Sequence, residues 1–157
     1  MKNVELDLKN GKLLIDGCVI APLGLDDFIS VTNQKAIKFD EVTRNADWPM
    51  YGSEVSIQNQ KFWMNVSFNQ KKFDSVWLSW NGGVVAKKGY DTTEKELISD
   101  KNSLSNLMKK VFQKEPEVKE YNHDVFLFDW GYISTSASLQ SVMVTLGISW
   151  KEFRTYP

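Results

Sequence analysis

The sequence has 157 residues, of which 42% are hydrophobic and 25% are charged, and its net charge at pH 7 is −1. Length and composition are ordinary for a globular protein, so we expect a single domain over residues 1–157. The low net charge argues against a nucleic acid or a membrane as partner, because both attract proteins through strongly basic surfaces.

Side chains that carry out chemistry are scarce. The chain has one histidine, His123, and one cysteine, Cys18, beside 6 tryptophans, 5 tyrosines and 9 phenylalanines. A zinc site needs several Cys or His ligands, and nucleophilic catalysis usually needs a base next to the nucleophile. We therefore predict no metal, no cofactor, no catalytic residue and no enzymatic activity. Residues 1–16 alternate charged and apolar side chains instead of forming an apolar run, which favours a cytoplasmic location.

The N-terminal pattern has period two and predicts a β-hairpin. Alternating apolar residues predict strands at about 3–9 and 12–16, and Asn10-Gly11 between them favours a tight turn. A short helix is expected from about Leu25 to Ile29, and a third strand over residues 35–42. The stretch from Asp40 to Glu54 shows little periodicity and contains Pro49 and Gly52, so we expect an exposed loop there.

Residues 53–85 predict a meander of antiparallel strands, because the turns between the alternating runs are too short for parallel crossovers. On the first of these strands, Phe62, Met64, Val66 and Phe68 fall on one face, and Trp63, Asn65 and Ser67 on the other. On the second, Val76, Leu78 and Trp80 fall on one face, and Phe73, Ser75, Trp77 and Ser79 on the other. After Gly82-Gly83 we expect a further strand at Val84-Val85-Ala86.

One long helix is predicted at about 92–113. Thr93 and Glu96 have the spacing of a capping box, apolar residues then recur at helical spacing, and Pro116 follows the helix. Residues 123–133 predict a strand that is apolar on both faces, and 142–150 predict its hairpin partner. Strands outnumber helices and no βαβ rhythm is present, so the predicted class is α+β: a predominantly antiparallel sheet with the long helix packed on it and one short N-terminal helix.

Two groups of residues are candidates for binding a partner. Asp40, Glu41, Asp47 and Glu54 surround Trp48 and Tyr51 in the predicted loop, and rings within an acidic segment are typical of a binding surface. Trp63 and Trp77 lie on strand faces that are less clearly internal. The alternative for the loop is that its rings fold back onto the sheet, and for the two strand tryptophans it is simple burial.

The order of elements resembles that of polymorphic-toxin immunity proteins, including those of contact-dependent growth inhibition. The resemblance lies in the N-terminal hairpin, the helix beginning near Thr93-Glu94-Lys95-Glu96, and Phe126-Leu127-Phe128-Asp129-Trp130-Gly131-Tyr132-Ile133. It implies a cytoplasmic protein that binds one toxin domain and blocks its active site, and it transfers no functional residue. An acidic, ring-bearing surface would suit a toxin that acts on RNA or DNA through a basic cleft.

Two other functions remain open at this point. A small-ligand or carbohydrate-binding module would use exposed tryptophans such as Trp63 or Trp77 as its platform. An enzyme would have His123 as its best candidate catalyst.

Overall fold

The computed structural model describes residues 2–43, 45–151 and 153, and within these residues the chain forms one sheet of 11 strands with three α-helices. In chain order the elements are β1 (Lys2–Asp7), β2 (Lys12–Ile15), β3 (Cys18–Ala21), α1 (Leu25–Gln34), β4 (Asp40–Thr43), β5 (Met50–Ile57), β6 (Gln60–Asn69), β7 (Lys72–Trp80), α2 (Val84–Lys88), α3 (Glu94–Phe112), β8 (Val118–Lys119), β9 (His123–Phe128), β10 (Gly131–Ser138) and β11 (Met143–Ser149).

The strand order is β3-β2-β1-β5-β6-β7-β11-β10-β9-β8, and β4 pairs with the first residues of β5, on the same edge that pairs with β1 further along. All neighbouring strands are antiparallel except β1 and β5, which run parallel where Lys2 and Asn3 pair with Val55 and Ser56. The predicted α+β class is confirmed. The sheet is mixed, however, and helix α2 is an addition to the two helices predicted.

The helices lie against one face of the sheet, which we call the inner face. The apolar rows predicted on β6 and β7 point to this face and are buried, except for Trp80, which is half-buried. Ile133 on β10 and Leu146 on β11 are buried on the same face. Helix α3 begins with the predicted capping box of Thr93 and Glu96, and it buries one apolar stripe against the sheet: Leu97, Leu104, Met108 and Phe112. Burying each of these side chains contributes roughly 1.5–3 kcal/mol.

Helix α1 covers the inner face at the other end of the sheet. Its Phe28 is 1% exposed and packs against Phe39, Tyr51 and Phe68, with ring centroids 5.1, 5.4 and 5.3 Å away. Such aromatic contacts contribute beyond the apolar area that they bury. They fix α1 on the sheet beside β5 and β6.

A buried ion pair ties α3 to β9. Lys101 Nζ lies 2.9 Å from Asp124 Oδ1, and the two side chains are only 3% and 9% exposed. The ammonium also donates to the carbonyl of Glu120 at 3.1 Å. One turn further along the helix, the hydroxyls of Ser105 and Thr135 are hydrogen-bonded to each other. These polar contacts set the position of α3 along the sheet, because an apolar stripe alone tolerates sliding.

The predicted loop between Asp40 and Glu54 is largely strand. β4 begins at Asp40 and β5 at Met50, so only the residues between them form a connection. Conversely, the strand predicted over 35–42 is absent before Asp40, because the chain there ends α1: the Lys35 and Ile37 amides donate to the carbonyls of Val31 and Thr32. Strand β3 was not predicted.

The predicted strand at Val84-Val85-Ala86 is wrong, because these residues form α2. The carboxylate of Asp100, which is 5% exposed, accepts a hydrogen bond from the Val85 amide at 2.9 Å and so caps the start of this helix. A Cβ at Gly83 would lie 2.3 Å from Asp100 Oδ2, so the carboxylate can approach only because residue 83 is glycine. The cap comes from a residue far along the chain, which no local pattern reveals.

Two further strand predictions also change. Residues 123–133 form two strands, because the chain turns at Asp129-Trp130 and places Phe126 opposite Ile133 on the inner face. A register shift at Asp74 moves Phe73 to the inner face, opposite Phe68, although Ser75, Trp77 and Ser79 keep the other face as predicted. Bulges of this kind reverse the alternation of a strand.

Breaking the buried ion pair should destabilise the fold strongly. Lys101→Ala leaves the Asp124 carboxylate buried without its cation, so we expect a loss of about 3–5 kcal/mol in the free energy of unfolding, measured by urea titration. The Lys101→Met/Asp124→Leu double variant should regain most of this loss, because no charge is then left buried.

Lys71→Ala is the matched control. Its ion pair with Asp26 is exposed, at 77% and 74%, so its removal should cost less than about 1 kcal/mol. Equal losses for Lys101→Ala and Lys71→Ala would contradict the role assigned to the buried pair.

Candidate functional site

The face of the sheet opposite the helices, which we call the outer face, is lined by small polar side chains around two tryptophans. The cross-strand register places the following residues side by side from β5 to β10: Gly52 and Glu54; Trp63, Asn65 and Ser67; Ser75, Trp77 and Ser79; Thr145 and Gly147; Ser134 and Ser136. No helix of the described residues packs on this face.

Trp63 is held in one position on the outer face. Its indole ring occupies the space above Gly52, where a Cβ would lie 2.5 Å from Trp63 Cζ2. Its Nε1 donates to Asn65 Oδ1 at 3.0 Å. Trp63 and Trp77 are both half-buried, and Asn65, which pairs directly with Trp77, is only 7% exposed. The indole of Trp63 is therefore held in a defined position by Gly52 and Asn65.

A small hydroxyl–carboxylate cluster lies beside the tryptophans. Ser67 Oγ is 2.7 Å from Ser75 Oγ and donates to Asp74 Oδ2 at 3.1 Å. Ser75 Oγ is also within reach of that oxygen, at 3.2 Å. Asp74 occupies the bulge of β7, which explains how its carboxylate meets both serines.

Four of the eight predicted partner-binding residues share the outer face. Asp40 pairs with Gly52 on the adjacent strand, and Glu54 pairs with Trp63. Asp40 and Glu54 are exposed, while Trp63 and Trp77 are half-buried. The structure therefore brings the acidic and aromatic groups together, although they are separated in sequence.

Asp47 and Trp48 lie in the connection between β4 and β5. Trp48 is 49% exposed. The connection is held against the end of β6 and the turn that follows it. The Phe68 amide donates to the backbone carbonyl of Pro49 at 2.9 Å, and the Gln70 amide donates to the backbone carbonyl of Asp47 at 2.7 Å. The exposed side chain of Trp48 therefore lies at the end of the sheet.

Glu41 and Tyr51 are separate from this surface. They pair with each other across β4 and β5, and the Tyr51 ring belongs to the aromatic cluster around Phe28 on the inner face. Burial raises the pKa of the Tyr51 phenol, and the neighbouring Glu41 carboxylate raises it further. The phenol is therefore neutral at pH 7, and its ring serves to pack α1.

The hydroxyl residues of the outer face are not among the residues that the sequence predicted to bind a partner. Ser134 and Ser136 alternate with buried residues on β10, and Ser67 and Ser75 alternate in the same way on β6 and β7. This alternation was a usable signal, because it marks a strand face that the core leaves uncovered.

His123 lies at the start of β9, with Nδ1 3.3 Å from Asn122 Oδ1 and 3.5 Å from Glu120 Oε2. Over residues 2–43, 45–151 and 153, no three His, Cys, Asp or Glu side chains are grouped so as to hold a metal ion. In the same part of the chain, no helix has the length and apolar character needed to cross a membrane.

Comparisons with models of protein families, with curated proteins and with solved structures give no significant match to this chain.

Gly52→Ala should displace Trp63. The new methyl group would overlap the indole, so we expect a changed Trp63 environment, seen as a shifted indole N–H resonance in the NMR spectrum, and a stability loss of about 1–3 kcal/mol.

Gly147→Ala is the matched control on the same face. Its Cβ would meet only the Ser134 hydroxyl, at 3.1 Å, and that side chain can rotate away. An unchanged Trp63 resonance in Gly52→Ala would show that the indole is not held over Gly52.

Proposed function

We propose that this chain is a non-enzymatic binding protein that docks a protein partner on its outer face. The observation that carries the proposal is the pair of half-buried tryptophans, Trp63 and Trp77, at the centre of a sheet face with no helix on it. Tryptophan is among the residues that most often dominate binding energy, particularly when smaller groups around it exclude water. The serines, threonine and asparagine of the outer face are smaller groups of this kind.

The size of the outer face also favours a protein partner. Five adjacent strands, β5, β6, β7, β11 and β10, span about 19 Å at the usual spacing between strands. Seven paired residues on β10 and β11 extend about 23 Å along the strands. The projected area is therefore roughly 400 Å², slightly below the ~500 Å² per partner at the lower limit for a specific interface, so a protein partner would have to cover the whole face and its edges. A small ligand would use only part of it.

The charges of the outer face indicate what the partner presents. Asp40, Glu54 and Asp74 place three carboxylates around the tryptophans, against one lysine on the same stretch of β6, Lys61, two residues before Trp63. A basic surface on the partner would be attracted to them and guided into register. This is the complementarity expected for a toxin domain that acts on RNA or DNA, so our specific proposal is a cytoplasmic immunity protein that blocks the active site of such a toxin.

A carbohydrate-binding module is the second candidate, and one observation favours it. The ordered indole of Trp63 has the Asn65 amide and the Glu54 carboxylate beside it. A fixed ring with adjacent hydrogen-bonding groups is a suitable platform for a sugar. In that case the ligand would be small, and only the region around Trp63 would bind it.

Removal of both indoles tests the proposed function. We expect the Trp63→Ala/Trp77→Ala double variant to bind the partner at least about thirtyfold more weakly, because each ring is placed as a binding hot spot. The measurement is quantitative capture from cells of the source organism, followed by titration of the captured protein. The product of the neighbouring gene is the first candidate to titrate.

Tyr90→Ala is the control, because Tyr90 is 85% exposed but lies away from the outer face, just after α2. Undiminished capture by the double variant would refute the proposal. Quenching of tryptophan fluorescence by a sugar, with no protein captured, would instead support the carbohydrate-binding module.

A further inference from the structure

The strands β7 and β11 separate at one end of the sheet and leave a cleft. Their pairing ends at Val76 and Ile148, although β7 begins four residues earlier, at Lys72, and β11 continues to Ser149. Each strand stays paired with its other neighbour, β6 or β10, so the walls of the cleft are fixed. The cleft has a volume of about 430 Å³, which lies within the range of binding pockets.

Aromatic rings line the inner part of the cleft. Phe73 and Trp150 pack edge to face on the inner-face side of the cleft, with ring centroids 5.1 Å apart, and Tyr132 lines the cleft from the outer face, beside the strand that carries Ser149. The Tyr132 ring is itself held edge to face by Phe153, at 5.1 Å. Ring faces attract a planar cation such as a guanidinium.

A fixed carboxylate lies at the mouth of the cleft. Asp74 is one of the lining residues, and its Oδ2 accepts the hydrogen bond from Ser67 described above. Its Oδ1 has no hydrogen-bond partner among the described residues. Within the described part of the chain, the serines therefore orient the carboxylate so that its other oxygen can accept a hydrogen bond from a ligand.

We propose that this cleft binds an arginine side chain. A guanidinium can donate to the carboxylate of Asp74 and stack on an aromatic ring at the same time, which a lysine ammonium does less well. Ser75 lines the cleft and also belongs to the outer face, so a partner docked on that face reaches the cleft. That the arginine belongs to a protein partner rests on the proposed function. That the cleft binds an arginine side chain does not rest on it.

Lys151 also lines the cleft and carries a charge that opposes the proposed ligand. It is exposed, and within the described residues its ammonium lies beyond ion-pair distance of Asp74. Exposed charges at such a separation interact weakly in water. Asp74 is thus available to a ligand, and removal of Lys151 should strengthen binding.

The test is an NMR titration of the full chain, labelled with ¹⁵N, with Nα-acetyl-arginine amide. We expect shifts at the Ser75, Tyr132 and Ser149 amides, and much smaller shifts with Nα-acetyl-citrulline amide, which has the same shape without the charge. Asp74→Asn should weaken binding by about fivefold, the upper range for an exposed ion pair, and Lys151→Ala should tighten it. Asp91→Asn, an exposed acid in the turn after α2, should change nothing.

Equal binding of citrulline, unchanged affinity in Asp74→Asn, or shifts located elsewhere would each overturn the proposal. The amide spectrum of each variant shows directly whether it is folded. Since this titration needs no partner, its failure is distinct from that of the proposed function: arginine binding with undiminished capture by the Trp63→Ala/Trp77→Ala variant would refute only the latter.

Discussion

The packing of the helices on a single face of the sheet is the constraint on which the rest of the structure depends. The apolar rows of β6, β7, β10 and β11 are buried on this face, where α3 packs on β10 and β11 and α1 places Phe28 against β5 and β6. The buried pair of Lys101 and Asp124 fixes where α3 lies along the sheet. Since the core is completed on this side, the outer face has no part in holding the helices.

This separation gives the two faces different roles. On the inner face, rings are packed against other rings, as Tyr51 is against Phe28. On the outer face, Trp63 and Trp77 lie among hydroxyl and amide groups, and Gly52 and Asn65 position the Trp63 indole. An aromatic side chain that the core does not need, and that the fold nevertheless orders, is suited to binding another molecule with little loss of entropy.

Elements with a strong local signal were predictable from the sequence. The capped helix α3 and the alternating strands β6 and β7 are found within a few residues of their predicted positions. Features set by distant contacts were not: α2 depends on the carboxylate of Asp100, and the inward position of Phe73 depends on a bulge. The candidate site was predictable in part. Trp63 and Trp77 followed from strand alternation, whereas their position on one face with Asp40 and Glu54 depends on the pairing of β4, β5 and β6.

The most direct measurement of the central claim is photo-crosslinking in the source organism, with a photoreactive phenylalanine analogue at one position at a time. Placed at Ser79 or Thr145 on the outer face, it should link this chain to one and the same protein, and placed at Asn106, on the exposed side of α3, it should not. Crosslinks from Asn106 alone, or none from the outer face, would contradict the account.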